Sequence, residues 1–243
     1  MTDLAKRVAL VTGGSRGIGE AIAISLADAG AAVAVNYRER AAEAEAVAGG
    51  IRAKGGKAMA IQADVSKADE VARMMAAVEL ELGAVDVLVN NAGIGLVRSV
   101  DELTEADFDL TIAVNLKSVF LCTQAVIPGM RARQWGRIVN ISSGAARGAG
   151  GVGPHYNASK AGMEGMTRGY AARLVKDGIT VNAVAPSLIE TDMVRQGVAS
   201  SPARIPLGRF GTPEECALIV MMLVRNAYMT GQTVALSGGM SFL

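Results

Sequence analysis

The sequence has no excess of charge of either sign. Its 243 residues include 24 Lys and Arg and 23 Asp and Glu. Such a chain creates no long-range electrostatic field of one sign that would attract nucleic acid or an anionic membrane. We therefore expect neither nucleic acid nor a membrane among its partners.

Long hydrophobic runs and dividing segments are also missing. No apolar run is expected to approach the ~20 residues that span a bilayer, and the N-terminus enters a strand pattern without the charged, apolar and cleavage regions of a signal peptide. Hydrophobic residues make up 51% of the chain, which suits one domain with a large core over residues 1–243. The expectation is a single cytoplasmic domain without linkers or internal repeats.

Cysteine and histidine are scarce. The two cysteines, Cys122 and Cys216, lie in apolar helical patterns without CxxC spacing, which predicts buried free thiols and no disulfide or metal site. His155 is the only histidine. Because no GxSxG elbow accompanies it, a Ser/His hydrolase is not indicated, and we expect His155 to be a pocket wall or a residue at the start of a helix.

What the sequence does have is a regular alternation of short apolar runs and longer Ala-rich amphipathic stretches. The runs are apolar almost throughout, which is typical of parallel strands covered by helices on both faces. The pattern predicts an α/β fold with a doubly wound parallel sheet of about seven strands flanked by helices. The predicted strands are 8–12, 32–36, 57–62, 85–90, 137–142, 179–185 and 233–236. The predicted helices are 18–29, 40–54, 67–82, a pair within 105–133, 156–177 and 213–225, and the weakly periodic stretch 186–212 is expected to form a lid.

A glycine-rich loop follows the first predicted strand and precedes the first helix. It reads TGGSRGIG from Thr12 to Gly19. Glycines let backbone N–H groups approach an anion, and a helix N-terminus adds partial positive charge. A tight turn without a ligand is the alternative, but ligands bind at the carboxyl ends of the strands in such sheets. We expect a cofactor phosphate to contact these residues of the loop: Gly13, Ser15, Arg16, Gly17, Ile18 and Gly19.

No carboxylate stands at the end of the second strand, where one would bind both ribose hydroxyls of NAD. The sequence there is Asn36-Tyr37-Arg38. Arg38 and Arg16 can instead offer planar donors to the 2′-phosphate of NADP. Two solvated surface arginines are the alternative. The sequence therefore predicts NADP(H) in preference to NAD(H).

The third strand is followed by Asp64 and Val65, which are expected to face the adenine. Two other roles fit the sequence equally well. Ser66 could cap the next helix, and Asp64 could stabilise a turn.

Tyr156 and Lys160 are four residues apart in a predicted helix, so they share one face. A phenol titrates near ~10, and lowering its pKa to near neutrality requires about 4 kcal/mol. A cation ~4 Å away at an effective dielectric of ~20 supplies about that amount. Lys160 is therefore expected to make Tyr156 a usable acid and base, although the same spacing occurs by chance in many helices.

Four motifs occur together and in a fixed order. These are the glycine loop, the segment Asn90-Asn91-Ala92-Gly93, the pair Ser142-Ser143 and the spacing of Tyr156 and Lys160. Together they resemble the short-chain dehydrogenase/reductase family over a region from Arg7 to about Met240. The resemblance implies a Rossmann-type fold and an NADP(H)-dependent oxidoreductase that moves a hydride between a nicotinamide and a carbonyl or alcohol carbon.

The same resemblance assigns roles to individual residues. Tyr156 would protonate the substrate oxygen on reduction, Ser143 would donate a hydrogen bond to that oxygen, and Lys160 would also hold the nicotinamide ribose. Ser142 would point to the opposite face of its strand. Asn115 would anchor a water that relays protons to Lys160, with a polar break in the helix periodicity as the alternative.

Further cofactor contacts are implied by the family pattern in two places. Asn91, Ala92 and Gly93 would lie beside the adenosine-side ribose. The segment over the nicotinamide carboxamide would contribute Pro186, Ile189 and Thr191, with Ser187 where the family usually has glycine.

Within the family, segments such as IETDM and IPLGRFGTPEE are similar to those of the 3-oxoacyl-carrier-protein reductases. This implies reduction of a 3-oxoacyl thioester carried by acyl carrier protein or coenzyme A. Arg131, Arg133 and Lys176 are available near the expected cleft rim for a carrier protein. The lid segment from Gln196 to Arg204 looks a few residues shorter than in those reductases.

Other interpretations stay open. The substrate could be a sugar, a polyol, a steroid or a xenobiotic ketone, and a non-catalytic dinucleotide sensor on the same fold is an alternative of another class. Relatives usually form tetramers, and an apolar C-terminal region favours a homotetramer over burial within one chain. That region comprises Met221, Met222, Met229, Met240, Phe242 and Leu243.

Overall fold

The structure of the chain is a computed structural model that describes residues 4–192, 194 and 201–241. Its strands are β1 Val8–Val11, β2 Ala32–Tyr37, β3 Ala58–Gln62, β4 Val87–Asn90, β5 Gly136–Ile141, β6 Ile179–Pro186 and β7 Thr233–Leu236. They form a seven-stranded sheet in the order β3-β2-β1-β4-β5-β6-β7, in which every neighbouring pair is parallel. The predicted doubly wound, Rossmann-type sheet is therefore confirmed.

Helices connect the strands and cover both faces of the sheet. They are α1 Gly17–Asp28, α2 Ala41–Ala53, α3 Ala68–Glu81, α4 Glu105–Ile112, α5 Ser118–Ala132, α6 Pro154–Leu174 and α7 Pro213–Arg225. A π-helical turn, Ala113–Lys117, joins α4 to α5, and short 3-10 turns occupy Gly144–Ala146, Val175–Asp177 and Pro202–Arg204.

Two apolar cores form because successive strand residues point to opposite faces. In β1, Ala9 packs in the core under α1, α2 and α7, whereas Leu10 packs in the core under α3, α5 and α6. Cys122 belongs to the second core, and both it and Cys216 are buried free thiols, as predicted. Burial raises the pKa of each of these thiols to about 12.

Helix starts follow local chemistry. Thr104 with Asp107, and Thr212 with Glu215, form capping boxes at the beginnings of α4 and α7. Helix α6 begins at Pro154, two residues before the predicted start, because the fixed φ of proline suits a first helical turn.

The continuous helical run Glu105–Ala132 has the length and apolarity of a membrane-crossing helix, with a mean hydropathy of 1.6 over its most apolar 18 residues. The expectation that no apolar run approaches the length that spans a bilayer missed this run. Lys117 is the only charged residue between Asp109 and Arg131, so the average is high. Half of that window is buried inside the protein, and a core helix passes the same test.

The apolar C-terminal region is divided between core and surface. Met221 is buried, so assigning it to an intersubunit interface was wrong, whereas Met229 is partly buried against the same core. Met222 and Met240 are exposed. Phe242 and Leu243 lie outside the described residues.

A buried arginine holds together the edge of the sheet where the strands begin. Arg137 is 4% exposed, and its guanidinium donates to the carbonyls of Val224, Gly136 and Gly178. It also lies over the ring of Trp135, 4.5 Å from the centroid. Because Val224 is in the last turn of α7, the cation faces the negative end of that helix.

We expect Arg137→Met to destabilise the fold. The shorter apolar side chain would leave buried carbonyls without donors, each costing ~1–3 kcal/mol, so the free energy of unfolding should fall by about 3 kcal/mol in urea titrations. Arg73→Met is the matched control, because the side chain of Arg73 is 68% exposed and pairs with the equally exposed Asp69. Equal unfolding midpoints for the two variants would contradict the assignment.

Candidate active site

One pocket lies at the carboxyl ends of the strands and has a volume of about 430 Å³. It brings together every residue that the sequence assigned to the cofactor, from Gly13 in the glycine loop to Thr191 after β6. Ser143 lines it as well, whereas Asn115 does not. The sequence analysis missed other lining residues: Tyr37, Glu39, Arg40, Ala63, Ile94, Val114, Ile141, Glu190, Asp192 and Val194.

The glycine loop has the backbone geometry that only glycine tolerates. Gly13 and Gly17 have φ of +60° and +56°. A Cβ on Gly19 would lie 2.3 Å from the carbonyl oxygen of Gly13. Asn91 stabilises the loop by donating to the carbonyls of Thr12 and Gly13 at 3.0 and 2.9 Å. The loop and the N-terminus of α1 therefore present a cradle that suits a dinucleotide phosphate.

The adenosine end of the pocket holds two arginines that already have carboxylate partners. Arg38 pairs with Glu39 at 2.6 Å, and Arg16 pairs with Asp192. Asp192 is 176 residues from Arg16 along the chain, so no local pattern could have predicted the contact. A phosphate entering this end would compete with Asp192 and Glu39 for the guanidinium groups.

Asp64 stabilises a turn, which was one of the roles left open. Its Oδ1 accepts hydrogen bonds from the backbone N–H and the hydroxyl of Ser66 at 3.0 and 2.7 Å. Ser66 does not cap α3, whose N-cap position is Lys67. Asp64 and Val65 also line the pocket.

Tyr156, Ser143 and Lys160 meet at the other end of the pocket. Tyr156 is 8% exposed and shares a hydrogen bond with Ser143. The Nζ of Lys160 lies 5.7 Å from the centre of the Tyr156 ring and donates to the carbonyl of Ile141 at 2.8 Å. The hydroxyl of Ser142 faces the backbone of α6 instead of Tyr156, with the carbonyl of Lys160 and a carboxylate oxygen of Glu164 each 3.3 Å away, as strand alternation predicted.

Burial changes the acidity of both titratable groups. Burial raises the pKa of the Tyr156 phenol, and the hydrogen bond with Ser143 offsets part of that rise. Burial also lowers the pKa of Lys160 from 10.5 to about 8. The expectation that Lys160 alone brings the phenol near neutrality was therefore wrong for the chain by itself. The ammonium loses its proton before the phenol ionises, because the same burial penalises both charged forms.

Asn115 lies in the π-helical turn between α4 and α5 and is fully buried. Its Oδ1 accepts from the N–H of Ile94 at 2.8 Å, and its Nδ2 donates to Ser159 and to the carbonyl of Ile94. A Cβ on Gly93 would lie 3.3 Å from Asn115 Oδ1 and 3.6 Å from Lys160 Nζ. Asn115 therefore sits directly behind the pocket wall, at a widened turn of the helix.

His155 is at the start of α6, one of its two expected places, and is not among the pocket-lining residues. Its Nε2 lies 3.0 Å from the carbonyl oxygen of Leu96. The ring therefore joins the loop after β4 to the helix that carries Tyr156.

The stretch 186–212, which was expected to form a lid, is described only in part. Ser187 donates its N–H to Leu236, and Ile189 is bridged to Gly211, so the first lid residues continue from the sheet. Residues 193 and 195–200 lie outside the described residues. The expectation of a shortened Gln196–Arg204 segment falls mostly on them.

The basic residues suggested for a carrier protein are not near the pocket. Arg131 pairs with Asp177 and Arg133 with Asp86. The three basic residues Arg131, Arg133 and Lys176 lie at the C-terminal ends of α5 and α6, close to where β5 and β6 begin. The pocket is at the opposite edge of the sheet, so their placement at the cleft rim was wrong for a single chain.

Comparisons with known proteins agree with this geometry. The family model for short chain dehydrogenase matches residues 7–201. A 3-oxoacyl-[acyl-carrier-protein] reductase of Synechocystis is 44% identical over 99% of both chains. A reductase of the same name from Staphylococcus epidermidis is 45% identical over 96% of this chain and 98% of that protein. Nodulation protein G of Azospirillum brasilense is 40% identical over 98% of this chain and 100% of its own length.

A solved structure is similar in three dimensions as well. It is a gluconate 5-dehydrogenase from Burkholderia cenocepacia in complex with NADP and tartrate, with a TM-score of 0.91 and 35% identity over 98% of this chain and 96% of that one. The family model covers most of the chain, and the relatives match nearly all of it. The resemblance noted in the sequence is thus confirmed: the chain belongs to the short-chain dehydrogenase family, oxidoreductases that act on CH–OH and C=O groups.

Proposed function

We propose that the protein is an NADPH-dependent reductase that converts a 3-oxoacyl thioester to the 3-hydroxyacyl thioester. The observation that carries the proposal is the convergence of Tyr156, Ser143 and Lys160 at one end of a dinucleotide-sized pocket. Two relatives at 44% and 45% identity are named for this reaction. Acyl carrier protein or coenzyme A would carry the acyl group.

The cofactor-binding residues fit NADP(H). The glycine loop and the start of α1 would hold the pyrophosphate, and Arg16 and Arg38 would bind the 2′-phosphate. The similar gluconate dehydrogenase structure contains NADP. Bound NADPH supplies the hydride that adds to the carbonyl carbon.

Side chains of the protein would deliver the proton that the substrate oxygen takes up. The raised pKa of Tyr156 keeps its phenol protonated at neutral pH, so it can give a proton to the oxygen that becomes the alcohol. Ser143 would donate a hydrogen bond to the same oxygen as negative charge develops. Lys160 would hold the nicotinamide ribose and stabilise the phenolate that remains. Asn115 would anchor a water that returns a proton by way of Lys160.

A second candidate function is oxidation or reduction of a sugar or polyol. The likeness to a gluconate dehydrogenase favours it, because the same catalytic group serves both substrates; a steroid or xenobiotic ketone would use that group as well. A non-catalytic sensor would not need Tyr156, Ser143 and Lys160 together. NADPH consumption with a panel of 3-oxoacyl thioesters, keto sugars and other ketones separates these functions.

We also propose a homotetramer. Large apolar side chains are exposed on α4, α5 and α7, on helix faces that the described part of the chain leaves uncovered. They are Phe108, Leu110, Phe120, Leu218 and Met222.

Replacing the phenol tests the proton donor. Tyr156→Phe should lower kcat for 3-oxoacyl thioester reduction by about 10²- to 10⁴-fold, while the Kd of NADPH, measured by fluorescence, changes little. Tyr170→Phe is the control, because the Tyr170 hydroxyl lies on the surface and accepts from Gln124. Retention of full activity by Tyr156→Phe would refute the mechanism.

The choice of cofactor depends on charge at the adenosine end. Arg38→Asp should weaken NADPH and spare or improve NADH, because a carboxylate repels the 2′-phosphate and can bind ribose hydroxyls. The ratio of kcat/KM for the two cofactors should shift toward NADH by at least about tenfold. Arg73→Asp, on the outer face of α3, should leave that ratio unchanged. An unaltered ratio in Arg38→Asp would exclude Arg38 from the phosphate site.

The buried ammonium predicts a pH dependence of stability. Lys160 titrates near 10.5 when unfolded and at about 8 in the fold, so the unfolded chain binds more protons between these pH values. Burying the charged Lys160 lowers the free energy of unfolding by its full amount below pH 8. As the pH rises to 10.5, the free energy of unfolding should increase by about 3 kcal/mol. Urea titrations should show this rise in the wild type relative to Lys160→Met. Lys54→Met, an exposed control, should follow the wild type, and parallel curves for all three would contradict the prediction.

A further inference from the structure

A buried carboxylate lies behind the serine of the proposed catalytic group. Glu164, one helical turn beyond Lys160 on α6, is 3% exposed. One of its oxygens accepts from the Nε of Arg147 at 2.8 Å. The other lies 3.3 Å from the Oγ of Ser142, whose hydroxyl proton it shares with the carbonyl of Lys160, also at 3.3 Å. Neither Glu164 nor Arg147 is among the residues that line the pocket.

Stability alone does not explain this arrangement. Removing the Glu164 carboxylate from water costs several kcal/mol, and pairing with Arg147, whose side chain is 36% exposed, does no more than offset that cost. An exposed pair would tie α6 to the loop more cheaply. A gain in folding free energy therefore does not account for burying Glu164. The positions of its two partners, Ser142 and Arg147, explain it better.

The partners of Glu164 flank the turn that carries Ser143. Ser142 immediately precedes Ser143, and Arg147 ends the 3-10 turn Gly144–Ala146 that follows it. The Oγ of Ser143 accepts from the N–H of Ala145 at 3.1 Å, so the turn itself orients this hydroxyl. A single carboxylate therefore fixes both ends of the turn that aims Ser143.

Other contacts leave the turn little freedom. A Cβ on Gly144 would lie 2.6 Å from the Oγ of Ser187, so the turn packs closely against the first lid residues. Asn157 donates to the carbonyls of Gly148 and Ala149 at 2.8 Å. Glu164 differs from these other contacts because it binds a residue on each side of Ser143 along the chain, Ser142 and Arg147.

We propose that Glu164 is a positioning residue for the reaction: by holding Ser142 and Arg147, it keeps the hydroxyl of Ser143 directed at Tyr156 and at the substrate oxygen. The inference rests on the proposed role of Ser143. It adds a pair, Glu164 and Arg147, that acts on the chemistry without touching substrate or cofactor.

The first test separates kcat from binding. Glu164→Gln should lower kcat for thioester reduction about tenfold, because small displacements of a reacting group are costly, with the KM of the thioester and the Kd of NADPH within about twofold of wild type. Arg147→Lys, which keeps the buried carboxylate paired, should lose less activity than Arg147→Met. Glu79→Gln, an exposed change on α3, is the control. Wild-type kcat in Glu164→Gln and Arg147→Met would overturn the proposal.

The second test asks whether the effect passes through Ser143. In a Ser143→Ala background, Glu164→Gln should change the residual kcat by less than about twofold, because the hydroxyl it positions is gone. The same tenfold loss in both backgrounds would mean a general structural role and would refute the inference. If Glu164→Gln does not fold, Arg147→Met takes its place in the same cycle with the same criteria.

The failure of this inference can be told apart from the failure of the proposed function. Full activity in Tyr156→Phe would refute the mechanism and the inference with it. An inactive Tyr156→Phe beside a fully active Glu164→Gln would refute the inference alone.

Discussion

The active site depends on burying one ammonium group beside one phenol. The Nζ of Lys160 is removed from water and bonded to the carbonyl of Ile141, at the carboxyl end of β5. That burial lowers the pKa of Lys160 to about 8 and raises that of Tyr156. The chain alone therefore holds the pair in a state suited to giving a proton, with a phenol that stays protonated and a cation close to losing its charge. The cost in folding free energy has to be met by the rest of the sheet.

The edge of the sheet meets its polar requirements mainly with amides. Asn36 accepts from the N–H of Gly13, Asn91 donates to the glycine loop, and Asn90 donates to Asn140 on the neighbouring strand at 2.8 Å. An amide offers a donor and an acceptor without a net charge. The hydrogen-bonding groups of the pocket wall between the glycine loop and Tyr156 thereby find partners, and these amides add no net charge to the pocket. The charged groups that line the pocket include Lys160 at the reacting end and, at the adenosine end, the arginines with their carboxylate partners.

Periodicity and motif order were enough to predict the sheet, its parallel strands and the residues of the glycine loop and the catalytic group that line the pocket. These features are local: apolar runs define strands, and the residue after each strand has to lie at the carboxyl edge. Contacts between distant segments were not predictable in this way. The pairing of Arg16 with Asp192, the placement of Arg133 beside Asp86 and the depressed pKa of Lys160 depend on tertiary burial, which no spacing reports. The π-helical turn at Asn115 was visible only as a polar break in an apolar helix.

Two paired carboxylates, Asp192 and Glu164, lie at opposite ends of the pocket region, and they differ in their exposure to solvent. Asp192 and Arg16 are both nearly half exposed, so their pair is worth at most about 1 kcal/mol, and an incoming phosphate can displace the carboxylate. Glu164 has 5% of its side chain exposed, and breaking its pair with Arg147 would strand a charge in the interior. The Arg16–Asp192 pair at the cofactor end can therefore be broken by a ligand, whereas the Arg147–Glu164 pair behind Ser143 stays in place. Binding can rearrange the first pair while the geometry at the reacting end is kept.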